Sequence, residues 1–168
     1  MPLNWSDSTQ SGLLIFTIDH QRFAIPAAQA REVVRAVAVT PLPEAPAVVA
    51  GVINVRGTVV PVIDFRKRFD LPDTPLEISD FFVLAWTNRR DVALRVSSVE
   101  GLRDVAADDI EDATRVARGV ERIVGIARLP EGLVLIHDLE RLLDATESEQ
   151  LDTALEQMTV EDESRSRA

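Results

Sequence analysis

The sequence contains no cysteine, which excludes disulfides, thiolate catalysis and zinc–thiolate centres. It has no tyrosine, six Phe and two Trp, so its interior must be built mainly from aliphatic side chains. It also lacks the roughly 20 consecutive apolar residues that a membrane-spanning helix needs. The segment Met1–Asp7 has neither the basic start nor the apolar core of a signal peptide. These absences predict a soluble cytosolic protein without direct membrane insertion.

Positive charge is scarce as well. The 18 Lys and Arg stand against 28 Asp and Glu, which gives a net charge of −10. Because proteins bind nucleic acid by neutralising phosphates with Lys and Arg, this balance argues against a nucleic-acid partner. Much of the excess is local, since residues 138–163 contain ten acidic residues and one basic residue.

Residues that could perform covalent chemistry are few. The two histidines, His20 and His137, are far apart and have no metal-ligand spacing. Ser97 or Ser98 could join His137 and Asp138 in a triad on paper, but neither serine lies in a nucleophile-elbow pattern. Neither of the two common glycine-rich phosphate-binding motifs occurs. We therefore expect no enzyme activity, cofactor or metal site, and a small-molecule-binding double barrel remains an alternative.

What the sequence does contain is an internal repeat. Residues 51–69 align without a gap on residues 125–143, and both segments read as strand, tight turn, strand, aspartate and helical turn. A second similarity precedes each copy, because residues 13–25 correspond to residues 82–94. Self-similarity in a fixed order indicates a duplicated structural unit. With only two strand-rich copies, we predict two similar small β-domains packed together.

Prolines mark several expected boundaries. Pro26 suits the first position of a helix, which we place up to about Val34. Pro61 interrupts an apolar strand and predicts a sheet edge or a bulge there, because proline cannot donate to a ladder. The segment 70–75, with two prolines and no periodicity, is the best candidate for a linker.

Both ends of the chain and the two strand-ending aspartates allow further predictions. Asp64 and Asp138 follow the second strand of each copy and are predicted helix N-caps. Residues 1–11 are expected to form a flexible N-terminus. Residues 145–168 are predicted to be an acidic helix and tail, disordered from Thr159 onward. Three apolar residues define one face of this helix: Leu151, Leu155 and Met158.

The central motif resembles the signature of CheW-like domains. It reads Gly51-Val-Ile-Asn-Val-Arg-Gly-Thr-Val-Val-Pro-Val-Ile-Asp-Phe-Arg66, and the flanking segments follow the family order over residues 12–144. The resemblance implies a mostly β fold made of two small five-stranded SH3-like β-barrels packed together, with short helices and a C-terminal helix. The two barrel units are expected at roughly 12–70 and 78–144.

The same resemblance implies a function. CheW-like adaptors are non-catalytic chemotaxis proteins without cofactors that link the cytoplasmic tips of transmembrane chemoreceptors to the regulatory domain of a CheA-type histidine kinase, and so help to build signalling arrays. Such an adaptor is expected in the cytoplasm, recruited to the inner face of the membrane through the receptors. The output stays open between flagellar chemotaxis and another pathway such as pilus motility, and the sequence specifies neither the receptors nor the kinase paralogue.

The resemblance finally implies a receptor-binding groove between the barrels. Arg56 and its following glycine match the family's Arg-Gly turn, and we expect this arginine to set the orientation of a bound receptor helix. The apolar residues Val33, Val99 and Leu102 are expected to anchor that helix. The complete set carried over is Glu32, Val33, Arg56, Gly57, Val99 and Leu102.

Overall fold

The computed structural model describes residues 10–112 and 123–166. Within this range the chain forms strands and one long helix, joined by turns that include short 3-10 helices, and the predicted mostly β architecture is confirmed. The elements are β1 (Gln10–Ile18), β2 (Gln21–Pro26), β3 (Ala30–Arg35), β4 (Val49–Val55), β5 (Thr58–Ile63), β6 (Phe81–Trp86), β7 (Asp91–Val96), β8 (Ser98–Ala106), β9 (Ile110–Asp112), β10 (Ile123–Leu129), β11 (Gly132–His137) and α1 (Ala145–Ser166).

The strands form two sheets of matching design. Sheet A has the order β8-β1-β2-β11-β10-β9, and sheet B has the order β3-β6-β7-β5-β4. Each sheet has one parallel pair at the equivalent place, with Leu135 opposite Phe23 in sheet A and Val62 opposite Ala93 in sheet B. Sheet B has the five strands expected of each barrel. Sheet A has six in the described ranges, because the short β9 pairs with β10.

The two copies of the repeat exchange hairpins. The hairpin β1–β2 belongs to the first copy but lies in sheet A with β8–β11, and β6–β7 belongs to the second copy but lies in sheet B with β3–β5. The predicted units 12–70 and 78–144 therefore do not coincide with the sheets. The repeat predicts two similar units, but it contains no information about which hairpin joins which strands, because the exchanged hairpins are equally apolar.

The core has three parts, and this explains the unbroken apolar runs of the sequence. Leu13 and Ile15 of β1 face a cluster inside sheet A, while Leu14 and Phe16 face a larger cluster shared by both sheets. A third cluster lies inside sheet B. Successive residues of a strand point to opposite faces, so a strand buried on both faces is apolar throughout.

Residues 30–35 form strand β3, and the helix predicted to run from Pro26 to Val34 is wrong. Only Ala27–Gln29 is helical, as a single 3-10 turn. β3 pairs antiparallel with β6, with Val33 opposite Val83. The β-branched Val33 and Val34 favour a strand, and pairing with β6 satisfies the backbone groups that a helix would have bonded internally.

Pro61 occupies an internal strand, so the edge expected there is also wrong. Its neighbour across the β4–β5 ladder is Val52, whose N–H and C=O bond Thr40 at 2.8 and 2.9 Å, on the side away from β5. The missing N–H of Pro61 therefore breaks no bond to β4. The register of the β4–β5 pair does shift, but the shift lies in β4, between Val49 and Gly51.

The predicted N-caps are confirmed, and one of them belongs to a buried ionic cluster. Asp64 accepts a hydrogen bond from the backbone N–H of Arg66 at 3.0 Å, and Asp138 accepts one from Glu140 at 3.0 Å. Asp64 also pairs with the guanidinium of Arg95, which donates to the carbonyl of Pro75 at 2.8 Å. The proposed linker 70–75 is thus held against sheet B and does not separate two domains.

The helix α1 packs against the shared core. Leu151 and Ala154 are buried there, and Asp144 begins the helix by accepting a hydrogen bond from Glu147 N at 2.7 Å. The helix continues to Ser166, so the tail predicted to be disordered from Thr159 is helical over most of its length. The predicted flexible N-terminus lies outside the described residues except for the start of β1. Along the described residues, no helix is long and apolar enough to cross a membrane.

Candidate protein-interaction site

The predicted Arg-Gly turn forms the tip of the β4–β5 hairpin. Arg56 and Gly57 are its two loop residues and have positive φ angles of 51° and 88°. Positive φ at both central positions is the pattern of the tight turn that matches strand twist, and glycine adopts it readily. The Asn54 side chain accepts a hydrogen bond from Gly57 N at 2.8 Å and fixes the turn. At this tip the Arg56 side chain is 77% exposed.

Arg56 and Glu32 lie together although 24 positions separate them. The two guanidinium nitrogens donate to the two carboxylate oxygens at 3.1 and 3.0 Å. An exposed ion pair contributes little to stability. Its two-pronged geometry does define the direction of the guanidinium. The structure thus joins two of the predicted site residues across the hairpin tip and the edge strand β3.

A small cavity of about 150 Å³ lies beside this ion pair, between β3, the hairpin tip and the start of β7. Arg31 on its border bonds Asp91 at 2.7 Å and also lies over the ring of Trp86, 4.0 Å from the ring centroid. Trp86 remains 49% exposed. The sequence reasoning missed these three residues. The available signal was a tryptophan at the end of an apolar strand, since a half-exposed aromatic is typical of contact surfaces.

The three predicted apolar anchors lie on the edge strands of the two sheets. Val33 on β3 is 38% exposed and Leu102 on β8 is 72% exposed. Val99 on β8 packs partly against the shared core, and so does Ala30 at the equivalent place on β3. These positions supply exposed or half-buried apolar surface on both sheets. Their assignment to one receptor groove stays a prediction.

The equivalent end of sheet A repeats the hairpin-tip ion pair with reversed charge. Glu131 at the β10–β11 tip pairs with Arg103 on the edge strand β8 at 3.1 and 3.2 Å. A hydrogen bond from its own backbone N–H, followed by one from Arg103, lowers the pKa of Glu131 below its ordinary value. The sheet B tip therefore presents a cation and the sheet A tip an anion.

The residues considered for catalysis take part in packing and in hydrogen bonds that stabilise the fold. His137 is fully buried, and its ring stacks on Phe65 with 4.5 Å between centroids. The Ser97 hydroxyl accepts hydrogen bonds from Asp19 N at 3.0 Å and from Arg66 at 3.3 Å, which fixes the passage from β7 to β8. In the part of the chain that the structure describes, no three metal-ligating side chains form a cluster.

Two sheets around one shared core, with exposed apolar side chains on their edge strands and charged hairpin tips, define a protein-interaction module. The family model for the CheW-like domain matches residues 12–147. The chain therefore belongs to the CheW-like domain family.

Known CheW proteins resemble this chain in sequence and in fold. The chain is 29% identical to the chemotaxis protein CheW of Rhizobium meliloti and 30% identical to the probable chemotaxis protein CheW of Rhizobium etli, each over 139 residues. Both alignments cover 82% of this chain and 90% of the relative. The crystal structure of the scaffolding protein TtCheW from Thermoanaerobacter tengcongensis has the same fold, with a TM-score of 0.74 and 24% identity, covering 82% of this chain and 94% of that one.

Proposed function

We propose that this chain is a non-catalytic chemotaxis scaffold that couples transmembrane chemoreceptors to a CheA-type histidine kinase. Family membership and the names of its relatives support the pathway. The observation that carries the coupling is the ion pair between Arg56 and Glu32, because it holds a mostly exposed cation at the border of the edge strand β3, which also carries the exposed Val33. In this proposal the protein works in the cytoplasm and reaches the inner face of the membrane through the receptors.

The receptor contact follows from the exposed positions of the two edge strands. A receptor's helical tip lying between them would bury Val33, Val99 and Leu102 and meet the guanidinium of Arg56. Because Glu32 already fixes that guanidinium, little side-chain freedom is lost on binding. Apolar anchors with one oriented charge are the usual composition of a binding hot spot.

The kinase contact uses the ends of the two sheets. The kinase's regulatory domain is expected to have the same double-sheet design, so strand edges at the ends of the two sheets are expected to dock it through pseudo-symmetric contacts. At the end of sheet A, the exposed carboxylate of Glu131 adds a charge to this surface, whereas Arg56 belongs to the receptor contact. Each contact is expected to be small and of about micromolar strength, with the array strengthened by multivalency. Flagellar and pilus-type outputs both fit this arrangement.

Co-sedimentation with receptor-containing membranes tests the receptor site. We expect the double variant Arg56→Asp with Leu102→Asp to lose binding by about tenfold or more, because a hot-spot charge is reversed and an apolar anchor is removed. The control is Ile78→Asp, which changes a side chain that is 90% exposed in the segment before β6. Circular dichroism verifies folding. Retained binding by the folded double variant would refute this receptor site.

A further inference from the structure

A second apolar groove, of about 800 Å³, lies between residues 154–159 of α1 and the β4–β5 hairpin. We call it the α1 groove. Its walls are Leu155 and Met158 from α1 and Val59 from β5, and the segment with Pro41 and Pro43 closes one side. Its described lining residues include none with a charged side chain. The volume falls within the roughly 300–1,000 Å³ typical of ligand sites.

The α1 groove is separate from the proposed receptor site. Thr58 and Val60 of β5 border the cavity beside Arg56, whereas Val59 between them lines the α1 groove. Adjacent residues of a strand point to opposite faces, so the two sites lie on opposite sides of this hairpin. The helical wall also lies beyond residue 147, where the match to the family model ends. The match therefore covers the wall from β4 and β5 but not the wall from α1.

The wall formed by α1 is firmly held. Leu151 is fully buried in the shared core, Arg68 pairs with Glu147, and Arg90 pairs with Asp152. These contacts hold the helix directly before Leu155 and Met158, so these two side chains keep their place beside the hairpin. The groove is thus preformed, and a partner would lose little free energy in opening it.

The backbone at the groove disfavours an added strand. Strand addition needs a row of free N–H and C=O groups along the edge of β4. Those of Val52 are already bonded to Thr40, and Pro41 and Pro43 have no N–H to offer. A helix satisfies its own backbone groups and needs only apolar contacts, so it suits this groove better.

Charge near the groove indicates the kind of helix. Glu156 is exposed on α1 between the lining residues Leu155 and Gln157, and Glu44 is exposed directly after Pro43 of the groove wall. An uncharged groove with carboxylates beside it complements an apolar stripe flanked by Lys or Arg. We propose that the α1 groove binds an amphipathic helix of a partner protein, with basic residues beside its apolar face.

The probe for this proposal is a fluorescein-labelled peptide of about 18 residues, long enough to form a helix, in which Leu recurs at helical spacing among Lys. Fluorescence anisotropy measures its binding to the full chain. We expect Val59→Asp and Met158→Asp each to weaken binding by about tenfold or more. The matched control is Leu133→Asp, since Leu133 is the equivalent of Val59 in the repeat, is 58% exposed, and lies in sheet A.

Several results would overturn the proposal. One is equal weakening by Leu133→Asp, and another is equal binding of a peptide with Glu in place of every Lys. Preference for a peptide of alternating Thr and Val, which favours a strand, would assign the groove to an extended partner. Sedimentation velocity adds one more outcome: dimers of the free chain that Met158→Asp abolishes would make a second copy the occupant. In each case a folded variant, verified by circular dichroism, makes the result decisive.

Discussion

Arg95 donates a hydrogen bond to Asp64 at 3.2 Å while both side chains are almost completely buried. The same guanidinium donates to Asp80 at 3.1 Å and to the carbonyl oxygens of Thr74 and Pro75, both at 2.8 Å. One side chain thus fixes the end of β5, the start of β6 and the segment between them. The resemblance to CheW-like domains did not indicate this cluster.

Replacing Arg95 should be severely destabilising. In Arg95→Met the carboxylates of Asp64 and Asp80 remain buried without their cation, and breaking such a cluster costs about 3–5 kcal/mol. Urea unfolding followed by circular dichroism measures the loss. The control is Arg22→Met, which removes the more exposed pair with Glu100 and should cost less than about 1 kcal/mol. Similar losses in the two variants would contradict a special role for the buried cluster.

Two equivalent glycines of the repeat should differ in their tolerance of alanine. At Gly51, with a φ of 151°, an added Cβ would lie 2.2 Å from the carbonyl oxygen of Thr40, so the backbone must move. At Gly125 the nearest atoms, Ile110 Cγ2 and the carbonyl oxygen of Glu111, are 3.1 and 3.2 Å away, so shifts of a few tenths of an ångström suffice. We expect Gly51→Ala to cost about 3 kcal/mol or more and Gly125→Ala about 1 kcal/mol. Thermal melting of both variants provides the comparison, and equal melting temperatures would exclude this explanation.

Attachment of α1 to the shared core can be tested with one truncation. Leu151→Ala removes a fully buried side chain and should lower the free energy of unfolding by about 2–4 kcal/mol. Met158→Ala changes a half-buried residue at the α1 groove and should cost less than about 1.5 kcal/mol. Guanidinium titration of both variants gives the two values. A negligible effect of Leu151→Ala would mean that α1 does not pack as described.

The lowered pKa of Glu131 makes a prediction about acid titration. A hydrogen bond from its own backbone N–H is the largest cause and Arg103 the next, so the pKa of this carboxyl should lie below the ordinary value of a glutamate. A carboxyl whose folded pKa is depressed stabilises the fold above its unfolded pKa, and this contribution is lost as the pH falls through the folded pKa. NMR titration of Arg103→Gln should show a partial rise in the pKa of Glu131. A complete return to the ordinary pKa of a glutamate would show that Arg103 is the dominant cause.

Local features of the fold were predictable where short-range chemistry determines them. Asp64 and Asp138 could be identified as caps because a cap depends only on the few residues that follow it. Strand β3 could not be predicted, because Pro26 gives a local helix signal, whereas the pairing of β3 with β6 is a tertiary contact. The exchange of hairpins lies beyond sequence reasoning for the same reason.

The candidate site divides in a similar way. Arg56 and Gly57 follow from the turn pattern, and their contact with Glu32 depends on the packing of β3 beside the hairpin tip. Trp86 and Arg31 were not predicted as site residues, because their cation–π contact joins different strands and has no signal in the sequence. The charge reversal between the sheet ends becomes visible only when equivalent hairpin tips are superposed through the repeat.

The exchange of hairpins also shapes how the chain can fold during synthesis. Thr17 and Ser98, whose hydroxyls meet across β1 and β8, are 81 positions apart. The first hairpin to leave the ribosome therefore cannot pair with its neighbouring strands until most of the polypeptide has been made. Meanwhile its exposed edges can associate with other nascent chains, so expression of amino-terminal fragments should yield aggregates, and chaperones that shield unpaired strands should increase the yield of native protein.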